Sequence, residues 1–225
     1  MCGRFALTAP ASTIAEIFQV DVLPDILPRY NIAPTTDVLC IVEEDGTRTA
    51  QTFKWGLVPF WAKDRKIANQ TINARGETVA SKPAFRAAFK RRRLLIVADG
   101  FYEWERKDKK NRLPHLFQTK DGKPFAIAGL WERWTDPESG EELRTCSIVT
   151  TGPNPLMEPI HDRMPVILPE PAWKTWLDPE VNDPKALEEL LVPFPAGKMK
   201  ERRVSKKVND VRNKEPDVQG DPENE

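Results

Sequence analysis

Residues Leu94–Glu105 read LLIVADGFYEWE. Five aliphatic residues run unbroken to an Asp-Gly pair, and an aromatic and acidic alternation follows. Short apolar runs bounded by turn residues read as strands, here Leu94–Asp99 and Phe101–Glu105. Outward from this pair the same texture repeats at Pro114–Thr119, Pro124–Trp131, Arg144–Thr151, Pro165–Leu168 and, late in the chain, Arg203–Val208. Upstream, Val38–Glu43 and Thr47–Trp55 flank Asp45-Gly46 and read as a β-hairpin. Helical signals are fewer and short. Thr8–Val20 offers Thr8 as a cap and a stripe of Ile14, Ile17 and Phe18. One or two helices are expected across 76–93, with Phe85, Ala88 and Phe89 as the buried stripe, and two more at Pro171–Leu177 and Pro184–Leu191. Many strands with few peripheral helices predict an α+β fold, built on a bent antiparallel sheet or a β-barrel-like core.

The 225 residues suit one domain. We expect it to span 1–213, followed by an acidic, unstructured tail over 214–225, where KEPDVQGDPENE holds one base and five acids. The formal net charge is zero, so the body carries 33 bases against 29 acids, a balance of +4 that permits a local basic groove without demanding one. The run Lys90–Arg93 reads as a solvated helix end. Cys40 and Cys146 sit in apolar runs and read as inert strand residues; three cysteines without paired spacing argue against a disulfide framework. His115 and His161 are the two histidines, and with no CxxC or HExxH a metal site is not expected. The longest aliphatic run, Leu94–Ala98, argues against a membrane span, and a cytoplasmic protein is expected.

Several polar residues resist a purely structural account. Cys2 follows the initiator methionine, and loss of Met1 would leave an α-amine and a thiol on adjacent carbons. Their ordinary pKa values, about 7.7–8.0 and about 8.5, make both partly available near neutrality, and together they can close a five-membered ring on an aldehyde. TINARGE presents Asn73 and Arg75; ADGFYEW sets Glu103 between two aromatic residues; PIHDRMP puts His161 and Arg163 on one side of an extended segment. WGLVPFW is apolar but broken by Gly56 and Pro59, so it cannot run as a regular strand. A terminal nucleophile, a carboxylate, a histidine and an asparagine cover attack, proton transfer and orientation. Arginines with exposed aromatics suit phosphates and bases of a single strand. Each residue also has a plainer reading, as surface carboxylate, satisfied histidine or core tryptophan.

MCGRF, YNIAP, WGLVPFW, INARGET, ADGFYEW, IVTTGPN, IHDRMPVIL and the late VND and VRN, in this order, resemble the SOS response-associated peptidase (SRAP) family from Cys2 to about Asn213. The resemblance implies binding of abasic sites in single-stranded DNA and a covalent thiazolidine cross-link through the mature N-terminal Cys2. It implies catalytic roles for Cys2, Asn73, Glu103 and His161. Phosphate contacts are implied for Arg4, Arg75 and Arg163, an apolar shelf for Pro34, Trp61 and Trp104, and a site-lining place for Thr150. Phe60 stands where some relatives carry a second tryptophan. The family name implies a peptidase activity, at least autocatalytic release of Met1, with no cofactor; a monomer is expected. Two other classes remain open on the residues alone: an N-terminal-nucleophile amidohydrolase or peptidase, and a noncatalytic single-strand binder.

Overall fold

The computed structural model describes residues 2–44, 46–106 and 112–222. Its strands are β1 Phe5–Leu7, β2 Arg29–Ile32, β3 Asp37–Glu44, β4 Thr47–Trp55, β5 Asn73–Arg75, β6 Arg93–Ala98, β7 Gly100–Arg106, β8 Arg112–Thr119, β9 Phe125–Thr135, β10 Glu142–Thr151, β11 Met164–Pro165, β12 Ile167–Leu168 and β13 Met199–Arg203. The helices are α1 Ala11–Phe18, α2 Arg86–Arg91, α3 Glu170–Leu177 and α4 Pro184–Glu188.

All six residues of β6 are buried. A strand apolar on both faces must be covered on both, and closure supplies one cover. Strands β10, β4, β3, β6 and β9 pair in that order, and β9 pairs back onto β10, closing a five-stranded barrel. The barrel is mainly antiparallel, as expected, but β10 runs parallel to both β4 and β5. The parallel pairing with β5 sets Ile148 against Asn73 and Thr150 against Arg75. Helices α2 and α3 pack on the outside of β6. A second, antiparallel sheet has the order β13-β8-β7-β1-β2. The two sheets meet where the chain passes from β6 into β7. Gly100 stands at this passage because a Cβ there would lie 2.8 Å from Leu116 Cδ1.

The hairpin forms as β3 and β4, though Asp45 of its turn lies outside the described residues. WGLVPFW is irregular beyond Trp55. Gly56 has φ +128°, and a side chain there would strike Ala68 O at 2.8 Å.

Four expectations change. Thr8 does not cap α1: the helix has no side-chain cap, and the Thr8 hydroxyl instead donates to Asp99 Oδ2 (2.8 Å). That carboxylate also accepts from the Thr8 and Ala9 N–H groups, tying the helix entry to the end of β6. The run Lys90–Arg93 is not a solvated end throughout. Arg93 is buried, and its guanidinium donates to the carbonyls of Phe89, Lys90, Trp176, Asp178 and Val181. The late strand is Met199–Arg203, ahead of the segment expected, because it pairs with β8; Lys206–Asn209 is a 3-10 turn. Within the acidic tail, Pro216–Gln219 forms another 3-10 turn. Its Val218 is buried against Tyr102 and Val208, and Lys207 pairs with Asp217.

Candidate active site

Strand β1 pairs antiparallel with β7, Phe5 opposite Phe101, and the Tyr102 N–H donates to Arg4 O (2.9 Å). Residues ahead of Phe5 therefore run beside Glu103 and Trp104. Cys2 is fully buried there, and Asn73 Nδ2 donates to its backbone carbonyl (2.9 Å). Asn73 reaches it because β5 is zipped onto β10. The other amide atom, Asn73 Oδ1, is buried and accepts no hydrogen bond among the described residues. Burial pushes the Cys2 thiol far above its ordinary range; the Glu103 charge adds to this, and the N-terminal amine and a hydrogen bond with the Arg4 backbone oppose it. The thiol therefore rests protonated.

Glu103, 2% exposed, projects from β7 toward the same place. His161 Nε2 lies 3.8 Å from Glu103 Oε2. The loop carrying His161 is wound by Asn154, whose Oδ1 accepts from the Leu156 and Met157 N–H groups and whose Nδ2 donates to Phe194 O. Nδ1 of His161 accepts the Arg163 N–H (3.0 Å) and also lies 3.1 Å from Asp162 Oδ1. The backbone bond is fixed, whereas the Asp162 side chain is solvated. This assigns the neutral ring's proton to Nε2, facing Glu103.

The expected phosphate contacts are placed unequally. Arg75 is exposed at the end of β5. Arg163 forms a two-pronged pair with Glu77 (2.5 and 2.9 Å) and donates to Thr150 O (2.8 Å) and Oγ1 (3.2 Å). Arg4 is buried; its Nη1 donates to Asn31 Oδ1 (2.6 Å) and Val208 O (2.8 Å), fastening the N-terminal segment to the late VND stretch. Its guanidinium also lies 5.7 Å from the Trp104 ring centre, a cation–π contact. Trp104 Nε1 donates to Asn209 Oδ1 (2.6 Å). Trp61 and Phe60 are 49% and 61% exposed, and Pro34 is half-buried in the turn between β2 and β3.

Cys2, Asn73, Glu103 and His161 thus come together, and Thr150 with Arg163 borders them. Asn31, Glu77 and Asn209 were not singled out from the sequence, although they lie within the YNIAP, INARGET and VND motifs. Among the described residues no cluster of three or more His, Cys, Asp or Glu side chains could hold a metal ion, and no helix is long and apolar enough to cross a membrane.

Comparisons with known proteins show what the chain is similar to. The chain is 45% identical over 221 residues to the abasic site processing protein YoqW of Bacillus subtilis (strain 168), covering 97% of this chain and 98% of that one. It is 31% identical over 220 residues to the abasic site processing protein YedK of Escherichia coli (strain K12), covering 95% and 96%. A crystal structure of a protein from Bacteroides thetaiotaomicron superposes with a TM-score of 0.86 at 28% identity, covering 98% of this chain and 99% of that one. The family model for SOS response associated peptidase (SRAP) matches residues 1–211, and the chain belongs to that family.

Proposed function

We propose that this protein processes abasic sites in single-stranded DNA, and that it does so by a covalent cross-link through Cys2. The observation that carries the reading is the convergence of Asn73 and Glu103 on Cys2, the residue that becomes N-terminal once the Met1–Cys2 amide is hydrolysed. The relatives' names supply the substrate class.

The chemistry has a set order. The thiol is held protonated by burial, so the α-amine is the first nucleophile. Its nitrogen attacks C1′ of the open-chain sugar aldehyde; the carbonyl oxygen takes up protons and departs as water, leaving an imine. The Cys2 sulfur then adds to the imine carbon, and the thiol proton passes to the nitrogen. One N–C and one S–C bond hold C1′ in a thiazolidine, with net loss of one water.

Asn73 grips the Cys2 carbonyl and leaves Oδ1 to accept from the mature amine. The Glu103–His161 pair, 3.8 Å apart, suits the sugar hydroxyls whose protons must move during ring opening and dehydration. Arg75 and Arg163 suit flanking phosphates, and Trp61 and Trp104 suit unstacked bases.

The reading is tested by incubating the protein with a single strand carrying one abasic site, then denaturing. An adduct with wild-type protein and none with Cys2→Ala supports it; equal adduct from both removes Cys2 from the chemistry.

A further inference from the structure

The chain has two histidines, and the mechanism above uses only one. The other, His115, is the direct cross-strand partner of Glu103: β7 and β8 pair Glu103 with His115, and Phe101 with Phe117. Directly opposed residues in an antiparallel pair share a face, with Cβ atoms about 4.5–5.5 Å apart. Stacking of Phe101 on Phe117 fixes which face that is. His115 is therefore next to Glu103 in the sheet, on the side opposite the Cys2 segment.

The ring is 7% exposed and held from both edges. Nδ1 donates to Glu201 Oε1 on β13, while Nε2 lies 3.7 Å from Glu105 Oε2 and makes no hydrogen bond among the described residues. Nδ1 already carries the proton that binds Glu201, so any second proton arrives on Nε2. That atom faces the carboxylate row of β7. The charged groups around the ring are Glu103 and Glu105 on β7, and Glu201 with Arg203, the residue registered opposite His115, on β13. His161 and Cys2 lie beyond Glu103.

We propose that His115 is a positioning residue for the cross-linking reaction: anchored by Glu201, it packs beside Glu103 and, when protonated, favours the carboxylate form that exchanges protons with the substrate. This rests on the role given to Glu103 above.

The test compares His115→Gln with wild type in two measurements. One is the rate constant for adduct formation at saturating abasic single strand, beside the dissociation constant for an intact strand. The other is the pH titration of the Glu103 carboxyl carbon by NMR, which needs no DNA. We expect a rate about 3–10-fold lower, unchanged affinity, and a Glu103 midpoint moved upward, as loss of a nearby positive charge requires. In a Glu103→Gln background, His115→Gln should cost nothing further. Glu201→Gln, which frees the ring without removing it, should shift the same two readouts in the same direction but less. An unmoved Glu103 titration, or losses that multiply in the double variant, overturns the proposal. Absence of any adduct with wild-type protein would instead overturn the functional reading, while the titration still decides whether His115 acts on Glu103.

Discussion

Asn73 donates from its side-chain nitrogen to the backbone carbonyl of Cys2 at 2.9 Å, joining the N-terminal residue to a strand 71 positions away in sequence. This bond sets where the Cys2 amine can point once it is the chain's terminus. Asn73→Ala should therefore lower the rate of adduct formation about 10–100-fold, the scale of a misplaced reacting group. Affinity for an intact strand should change little. Quench-flow or gel-resolved single-turnover kinetics gives both numbers.

Glu77 neutralises Arg163 through a two-pronged pair, and the arginine in turn holds the Glu77 carboxyl below the usual range, chiefly through their hydrogen bond. Arg163 remains anchored to Thr150 O without Glu77. Glu77→Gln should thus release a positioned cation to the DNA backbone. Binding of a single strand should tighten several-fold, and the slope of log K against log salt should steepen by about 0.7. Fluorescence anisotropy across a salt series measures it; an unchanged slope would mean that Arg163 does not meet a phosphate.

Arg93 binds five carbonyls from α2 and the region of α3, and burial lowers its pKa to about 10. Lysine keeps the charge but cannot fan out to these acceptors. Arg93→Lys should cost about 3 kcal/mol of stability in urea unfolding, with adduct chemistry intact at temperatures where the protein stays folded.

Burial raises the Cys40 thiol well above its ordinary range, with Cys146 beside it as a further cause, and Cys2 is raised in the same way. In the folded protein these thiols stay protonated where the unfolded chain, near its ordinary value of about 8.5, has already released the proton. The unfolded state then binds fewer protons, so stability is full below about pH 8.5 and falls as pH rises above it, tenfold in the folding constant per pH unit per thiol. Urea titrations between about pH 8.5 and 10 should show a slope shallower by one proton in Cys40→Ala than in wild type.

The strands were legible because runs such as LLIVA and VLCIV can only be buried, and the glycine after Asp99 marks where one sheet hands over to the next. A barrel-like core was expected as one of two forms, but the choice of a closed barrel over a bent sheet was not legible, since the β9–β10 pairing and the parallel run of β4 beside β10 depend on long-range register. Arg93 was misread for a local reason: it ends a run of basic residues, and three of its five carbonyl partners lie more than 80 positions away. At the site, residue chemistry singled out Cys2, Asn73, Glu103 and His161, and the motif order tied them to one family. Their neighbours Glu77, inside the INARGET motif, and His115 were not singled out as site residues. Glu77 matters only through Arg163, and His115 only through the register that sets it opposite Glu103.

Intact mass of the protein after incubation with an abasic single strand, recorded under denaturing conditions, tests the central claim most directly. The account predicts a species equal to the chain without Met1 plus the oligonucleotide, less one water, and no such species from Cys2→Ala. A denatured mass equal to the unreacted chain, or the same adduct from the Cys2→Ala protein, would contradict it.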